Sequence, residues 1–387
     1  MPYSLSAAHL PADLPSDLPA DPREFFTDVR VVELPMTTKF RGITSRQVCL
    51  LRGPKGWAEF SPFPEYGPQE AHRWLAAAIE FSLNPHGPAG LLTPGTSTSS
   101  ASPAKAHEVP PAPAYSGRLS GARVPVNGTV PAVSAEDVPG VLDRFDGVDV
   151  FKIKIAEHGA ASKDADVARV RAVLAAAPNA KIRLDANGKL GIDEAVPHLR
   201  ELSTLDGFVQ RLEYVEQPVA SVEDMARLRE RLQADSELCG IRIAADENIR
   251  RSDDPLRVAQ LGAADHIVVK AQPLGGVAAA VRIVQSCGLP ATVSSALESS
   301  IGLAAGAQLA LALAKLGEGA AWAAGLGTAS LLAADVVDHP RRPHGGTIST
   351  DPMDVSVQLA EDHRAPAEAE EWWLARLAAC WKLLREA

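Results

Sequence analysis

From Val150 onward the chain repeats one unit. Apolar runs at Val150–Ala156, Lys181–Asn187, Phe208–Pro218, Ile241–Asn248, His266–Gln272 and Ala291–Ser295 begin 25 to 33 residues apart, with helical segments between them. That spacing is a strand followed by a crossover helix, the unit of a parallel sheet with both faces covered. An earlier run at Val124–Val133 and a short one near Ala320–Ala324 give seven or eight units in about 220 residues. Such a count fits a TIM-type α/β barrel better than an open doubly wound sheet. The open sheet would announce a Gly-rich phosphate turn after its first strand. Here the first run ends in Pro131-Ala-Val-Ser-Ala, and the GLGTAS at Gly325 is a lone partial match. Walker A, HExxH and GxSxG patterns are absent.

The rest of the chain divides by texture. Residues 1–22 repeat Pro, Asp and Leu and read as a flexible leader, without the basic and apolar regions of a signal peptide. Residues 23–92 read as a small α+β unit, with strands at Val29–Leu34 and Val48–Arg52 and a helix at Pro68–Glu80. Residues 93–120, Ser/Thr/Pro-rich from Thr93 to Pro113, read as a linker or insertion, 121–340 as the barrel, and 341–387 as a C-terminal tail. The tail's helix, Ala367–Glu386, carries Trp373, Leu377, Trp381 and Leu384 on one face, and that face is expected to pack on the N-terminal unit. The Ala-rich run Ile301–Leu316 contains Gln308 and Lys315 and reads as a buried helix. A net charge of −10 argues against nucleic acid and anionic membrane partners. Cys49, Cys239, Cys287 and Cys380 are widely scattered with no CxxC pair, which argues against a disulfide scaffold, a thioredoxin-type site or a zinc ribbon and suggests a reducing, cytoplasmic setting.

The barrel strands carry charges that a covered strand tolerates only for a function. Lys152 and Lys154 share one face of Phe151-Lys-Ile-Lys-Ile155, opposite three apolar residues, and so point into the barrel. Arg183, Asp185 and Asn187 share a face of the next run, while Asp246 and Lys270 end the fifth and sixth. Between them, Glu213 and Glu216 lie on opposite faces, with Glu216 beside the terminating Pro218. Five consecutive strands thus end in Lys154, Asp185, Glu216, Asp246 and Lys270, where barrel active sites form. Asp185, Glu216 and Asp246 would repel one another without a cation. Oxygen-only ligation favours Mg²⁺, or Mn²⁺, over Zn²⁺. A lysine beside another ammonium and a metal loses affinity for its proton, so it can take a proton from a carbon α to a carboxylate.

These residues stand in motifs. KIK at 152–154, LDANG at 184–188, VEQP at 215–218, ADEN at 245–248 and VVKAQPLGG at 268–276 resemble the enolase superfamily in its muconate-lactonising branch. VVELPMTTKFRGITSRQV at 31–48, GWAEFSPFPEYGP at 56–68 and VSSALESSIGL at 293–303 are similar to the actinobacterial-type o-succinylbenzoate synthases within it. The resemblance implies a modified (β/α)7β barrel under an α+β cap built from the N-terminal segment and the C-terminal tail. It implies Asp185, Glu216 and Asp246 as Mg²⁺ ligands and Lys154 as general base. Lys152 would tune the base and hold a carboxylate, and Lys270 would stabilise the intermediate from the opposite side. Arg183 and Asn187 would support the substrate, and Glu247, expected to point the other way, would stand behind Asp246. Phe40 and Arg41, in a lid loop Thr37–Gly42, and Ser294 and Ser295, at the seventh strand end, would contact the substrate.

The implied reaction is dehydration of 2-succinyl-6-hydroxy-2,4-cyclohexadiene-1-carboxylate to o-succinylbenzoate, a menaquinone-pathway step, through a metal-stabilised enediolate. The implied partner is this small carboxylate alone, with no obligate protein partner. The nearest alternative is N-acylamino acid racemisation by Lys154 and Lys270 from opposite faces. The lysine pair argues against sugar-acid dehydration, the carboxylate triad against a Schiff-base aldolase, and the intact strand ends against a non-catalytic binding protein.

Overall fold

The structure, a computed structural model, describes residues 14–15, 17–40, 42–87, 121–251, 254–317 and 322–387. The Ser/Pro-rich stretch at 93–120 and most of the expected leader lie outside them.

Three antiparallel strands come first: β1 (Asp28–Phe40), β2 (Ile43–Arg52) and β3 (Trp57–Phe60), in that order. Strict alternation gives this sheet two apolar faces. Val31, Cys49 and Leu51 join the core containing Trp74 and Ile79 of α1 (Pro68–Leu83). Val32, Leu34, Val48 and Leu50 pack instead against Leu332, Val336 and Val337. The α1 helix opens with Pro68 at a position whose N–H needs no partner. Thr37–Phe40 were expected in a loop, but they continue β1, with Phe40 paired to Ile43.

The run expected as one strand at Val124–Val133 divides. β4 (Arg123–Pro125) leaves the barrel to pair antiparallel with β12 (Thr347–Ser349), and β5 (Gly128–Val130) is the first barrel strand. Pro125 separates them because it has no N–H to donate to a ladder. The parallel sheet then adds β6 (Val150–Lys154), β7 (Lys181–Asp185), β8 (Leu212–Glu216), β9 (Ile243–Ala245), β10 (His266–Val269) and β11 (Ala291–Val293), adjacent in chain order. Residues 208–211, read from sequence as strand, form a helical turn, α5, after Gly207 at φ +72°. Helices α2 (Val138–Leu142), α3 (Lys163–Ala176), α4 (Ile192–Ser203), α6 (Val222–Ala234), α8 (Arg257–Gln260), α9 (Val277–Cys287) and α10 (Ser300–Leu316) make the crossovers. A further turn, α7 (Glu247–Arg250), follows β9 directly.

The eighth position is thinner than expected. Ala324 and Gly325 bridge the two edges: Gly325 N donates to Val293 O at 2.7 Å, and Asn127 N donates to Ala324 O at 2.8 Å. Two residues close the ring because the approach is tight. A Cβ on Gly325 would lie 2.6 Å from Ser294 Oγ, so GLGTAS serves barrel closure. Among the described residues no helix is long and apolar enough to cross a membrane.

After α11 (Val357–Asp362), α12 (Ala367–Glu386) returns to the N-terminal sheet. Trp373 meets Phe60 edge-on at 5.8 Å, Trp381 meets Phe26 at 5.8 Å, and Arg376 donates to the carbonyls of Pro62, Phe63 and Tyr66. The end of the expected flexible leader is tied down, because Trp381 Nε1 donates to Pro19 O at 2.9 Å. Trp373 is fully buried. Trp373→Ala is expected to cost about 3–5 kcal/mol, measured by urea unfolding, with KM unchanged for the folded fraction.

Two buried carboxylates tie this cap to the barrel. Glu80 of α1 accepts from the N–H groups of Val277 and Ala278 at the start of α9. Glu59 of β3 accepts from Ser299 N at 3.0 Å and Gly302 N at 3.2 Å at the start of α10. Each anion meets the positive end of a helix and satisfies N–H groups that have no intrahelical partner. Burial pushes Glu59 up to about 7, against hydrogen bonds from Ser299 and Ser61 that favour the anion.

Candidate active site

The C-terminal ends of β6, β7, β9 and β10 open onto a cleft of about 430 Å³, and Lys154 and Glu216 are buried behind its lining, beside Asp185 and Lys152 respectively. Lys152, Asp185, Asn187, Asp246, Lys270, Ser294 and Ser295 line it, with Phe40 and Phe63 from the cap and Thr129 and Thr328. The alternating pleat accounts for these placements: Lys154 is opposite Asp185 in the β6–β7 ladder, and Asp185 is opposite Glu216 in β7–β8. The order across the site is therefore lysines, three carboxylates, lysine.

The ion pairs follow that order. Lys152 Nζ lies 3.0 Å from Glu216 Oε1 and 3.2 Å from Asp185 Oδ2, and Lys154 Nζ lies 3.6 Å from Asp185 Oδ1. On the other side Lys270 Nζ lies 2.6 Å from Asp246 Oδ2. All six side chains are at least largely buried. Burial disfavours the Lys152 ammonium, but Glu216, Asp185 and Asp246 outweigh it and hold its pKa well above the usual lysine value. Lys270 shifts the other way, because burial, with Arg250 nearby, outweighs Asp246. Burial also pushes Glu216 up to about 7, and repulsion from Asp185 and Asp246 works with burial against the pull of Lys152. Asp185 and Asp246 stay below the usual carboxylate range despite burial, held by Lys154 and Lys152 and by Lys270 and Arg250 respectively.

Asp185, Glu216 and Asp246 supply the oxygen-only donor set that a hard divalent cation takes. As placed, lysine ammonium groups lie between the carboxylates. Among the described residues no three His, Cys, Asp or Glu side chains converge on one point at metal distance. The donor chemistry fits a divalent ion, and the lysines now carry the compensating charge.

Four non-glycine residues among those described have left-handed backbone: Ala156, Asn187, Gln217 and Leu297. Three follow the ends of β6, β7 and β8 within two residues, and Leu297 follows β11 within four. Strain of this kind persists where surrounding structure fixes it, often at functional sites. Sequence reasoning missed Gln217, whose Oε1 accepts from Asp246 N at 3.1 Å and Asn248 N at 3.3 Å. It also missed Arg250, which donates to Asp246 Oδ1 at 3.2 Å and to Tyr66 of the cap at 2.6 Å. An arginine four residues after a strand-end aspartate is the signal that was available.

Several expected substrate contacts are placed differently. Arg183 does not line the cleft. It is fully buried lower in the barrel, donating to Glu213 at 2.6 Å, Asn127 Oδ1 at 2.9 Å and Ala323 O at 2.6 Å, and it faces the Tyr214 ring. Alternation gave the correct face but not the depth: two residues back along β7 is a layer below Asp185. Arg183→Met is expected to cost about 3–5 kcal/mol by stranding Glu213, with KM unchanged, measured by denaturation and steady-state kinetics. Glu247 was expected to point away, yet its Oε1 accepts from Asn187 Nδ2 at 3.3 Å. The strand ends before it and α7 begins at Glu247, so alternation no longer applies. Ser294 and Ser295 reach the cleft, and Ser295 Oγ lies 2.8 Å from Thr328 Oγ1. Phe40 reaches it from β1, while Arg41 lies outside the described residues.

Residues 141–353 match the family described as Enolase C-terminal domain-like, and residues 31–82 match Enolase N-terminal domain-like. The chain belongs to the enolase superfamily. Within that superfamily, the chain is 44% identical over 352 residues to an o-succinylbenzoate synthase of Thermobifida fusca, covering 90% of this chain and 95% of that protein. It is 42% identical to one of Mycolicibacterium smegmatis, covering 92% and 96%. Solved enolase-superfamily structures share its fold. The muconate lactonizing enzyme from Pseudomonas fluorescens superposes with TM-score 0.64 at 20% identity, over 87% of this chain and 98% of that one. The L-Ala-D/L-Glu epimerase from Bacillus subtilis gives 0.61 at 22% identity, over 85% and 96%.

Proposed function

We propose that this chain is an o-succinylbenzoate synthase, a hydro-lyase that removes water from 2-succinyl-6-hydroxy-2,4-cyclohexadiene-1-carboxylate in menaquinone biosynthesis. The observation that carries the reading is the order of charges along the strand ends: Lys152 and Lys154, then three carboxylates, then Lys270. The relatives named above, 44% and 42% identical over nine-tenths of the chain, carry the name o-succinylbenzoate synthase and support this choice of product. Asp185, Glu216 and Asp246 would hold Mg²⁺ or Mn²⁺. When bound, the ion supplies positive charge beside the substrate carboxylate, which lowers the cost of negative charge building there.

Lys154 takes the α-proton. It is buried, with Lys152 two residues back on the same face and Asp185 Oδ1 3.6 Å from its Nζ. Lys152 keeps its proton and pairs with the substrate carboxylate. Now protonated, Lys154 lies on the face from which the hydroxyl departs and returns its proton to the leaving oxygen. Lys270, on the far side, stays cationic and faces the ring. Phe40 and Phe63 cover the ring and keep water from it, and Ser294 and Ser295 offer hydroxyls to the succinyl arm. The cleft lined by Lys152, Asp185 and Lys270 takes the small molecule, and the four free cysteines accord with a cytoplasmic enzyme.

The test follows the loss of diene absorbance with purified protein, with Mg²⁺ and with EDTA. Rapid Mg²⁺-dependent conversion to o-succinylbenzoate is expected, and no turnover by folded, Mg²⁺-supplied protein would refute the reading. Lys270 opposite Lys154 also favours a second activity, N-acylamino acid racemisation. That activity predicts α-deuterium uptake from D₂O by both enantiomers of an N-succinylamino acid.

A further inference from the structure

The end of the strand that carries Lys154 is held from outside the barrel. Arg169 and Asp166 lie on α3, in the layer that wraps the sheet, and both are buried. Arg169 Nη1 donates to the carbonyl oxygen of Lys154 at 2.9 Å and to Asp166 Oδ1 at 2.7 Å. Its Nε donates to Val133 O, beyond the end of β5, at 2.6 Å. Asp166 Oδ2 accepts from the backbone N–H of Ala156 at 2.7 Å. His198 of α4 lies 3.4 Å from the same oxygen. Ala156 has φ +55°, a conformation that alanine avoids, and it comes two residues after Lys154. Ile155 still bonds to the sheet, through its N–H to Asp185 O at 2.9 Å. The chain therefore turns sharply out of the sheet right behind Lys154.

A buried ion pair is a weak stabilising device, since desolvation offsets most of the attraction. This pair spends its hydrogen bonds on the backbone on both sides of one turn, and that turn sets where Lys154 Nζ points. Catalytic groups must be held within about 0.5 Å and 10–20° of their productive geometry. We propose that Arg169 and Asp166 are positioning residues for the reaction, a clamp that fixes the backbone of Lys154 from the helix layer. They touch neither substrate nor metal ligands. The inference rests on Lys154 being the base.

The test uses the full-length, Mg²⁺-saturated enzyme. Arg169→Met, Arg169→Lys and Asp166→Asn are compared with wild type and Lys154→Ala. The readouts are kcat, KM, the isotope effect with substrate deuterated at the α-carbon, and the folded fraction from thermal melting. Arg169→Met and Asp166→Asn are expected to lose about tenfold to a hundredfold in kcat per folded molecule, the cost of misplacing a reacting group by about 1 Å. KM stays within about twofold, because ground-state binding is untouched. The isotope effect rises as proton removal becomes the slow step. Arg169→Lys, which keeps the charge and one donor, recovers part of kcat. If Arg169→Met does not fold, the other two variants decide by the same criteria.

Wild-type kcat per folded molecule with an unchanged isotope effect, however far the melting temperature falls, overturns the clamp. So does a rise in KM equal to the loss in kcat/KM. An active Lys154→Ala enzyme refutes the base assignment itself. An inactive Lys154→Ala enzyme beside normal Arg169 and Asp166 variants refutes the clamp alone.

Discussion

Replacing Lys154 with alanine is expected to lower kcat by about 10³-fold or more, the upper range for removing a general base. That corresponds to about 4 kcal/mol of transition-state stabilisation. The loss should be this large if, as proposed, the same amine removes the proton and then protonates the leaving hydroxyl. No neighbour can substitute. Lys152 is held to Glu216 and Asp185 as an ammonium, and Lys270 stands across the carboxylates on the other side. The fold should survive, since Asp185 keeps Lys152 at 3.2 Å after the substitution. Single-turnover loss of diene absorbance measures the rate, and circular dichroism checks the fold. A residual rate within tenfold of wild type would remove Lys154 from its role.

The second large effect concerns Glu216, the central carboxylate of the three. Glu216→Gln is expected to be as inactive as wild type in EDTA, and added Mg²⁺ should not restore it. An amide keeps the shape and one acceptor but removes the charge. A hard divalent cation then loses an anionic ligand in a buried site where little else can compensate. Calorimetry gives a readout independent of turnover. For wild type, Mg²⁺ at a hundred times its Kd adds about 2.7 kcal/mol to stability, so melting shifts upward. In Glu216→Gln that shift should shrink or vanish at the same Mg²⁺ concentration. Equal Mg²⁺-dependent shifts in both proteins would show that the ion is bound elsewhere. Without metal the wild-type protein should still fold, because Lys152 and Lys270 already neutralise the carboxylates.

Much of this arrangement was legible in the residues. Charges at the ends of regularly spaced apolar runs point to a barrel with its site at the strand ends, and a two-residue pleat turns both lysines of KIK inward. What was hidden follows from the limits of periodicity. Alternation assigns a face but not a height, so Arg183 looked like a ligand and proved to be part of the packing below the cleft. It also stops where the strand stops, which is why Glu247 reaches Asn187. Asp166 and Arg169 sit three apart in a helix rich in charge, where an exposed pair is the ordinary reading. Nothing in Ala156 or Gln217 announces left-handed backbone, because neither residue prefers it. The closure of the barrel rests on Ala324 and Gly325, at the end of the short run read near Ala320–Ala324, whose sequence did not show that two residues alone would make the contact.

Glu59 and Glu80 bear on how such a protein can be taken apart or recombined. Between them they satisfy four backbone N–H groups, those of Val277, Ala278, Ser299 and Gly302, across the boundary between cap and barrel. A chimera that takes its first ninety residues from a donor without acids at these two places inherits four buried orphan donors, at about 1–3 kcal/mol each. The cap is therefore not an interchangeable lid. Grafting new specificity onto this barrel requires that two carboxylates remote from the chemistry travel with the graft.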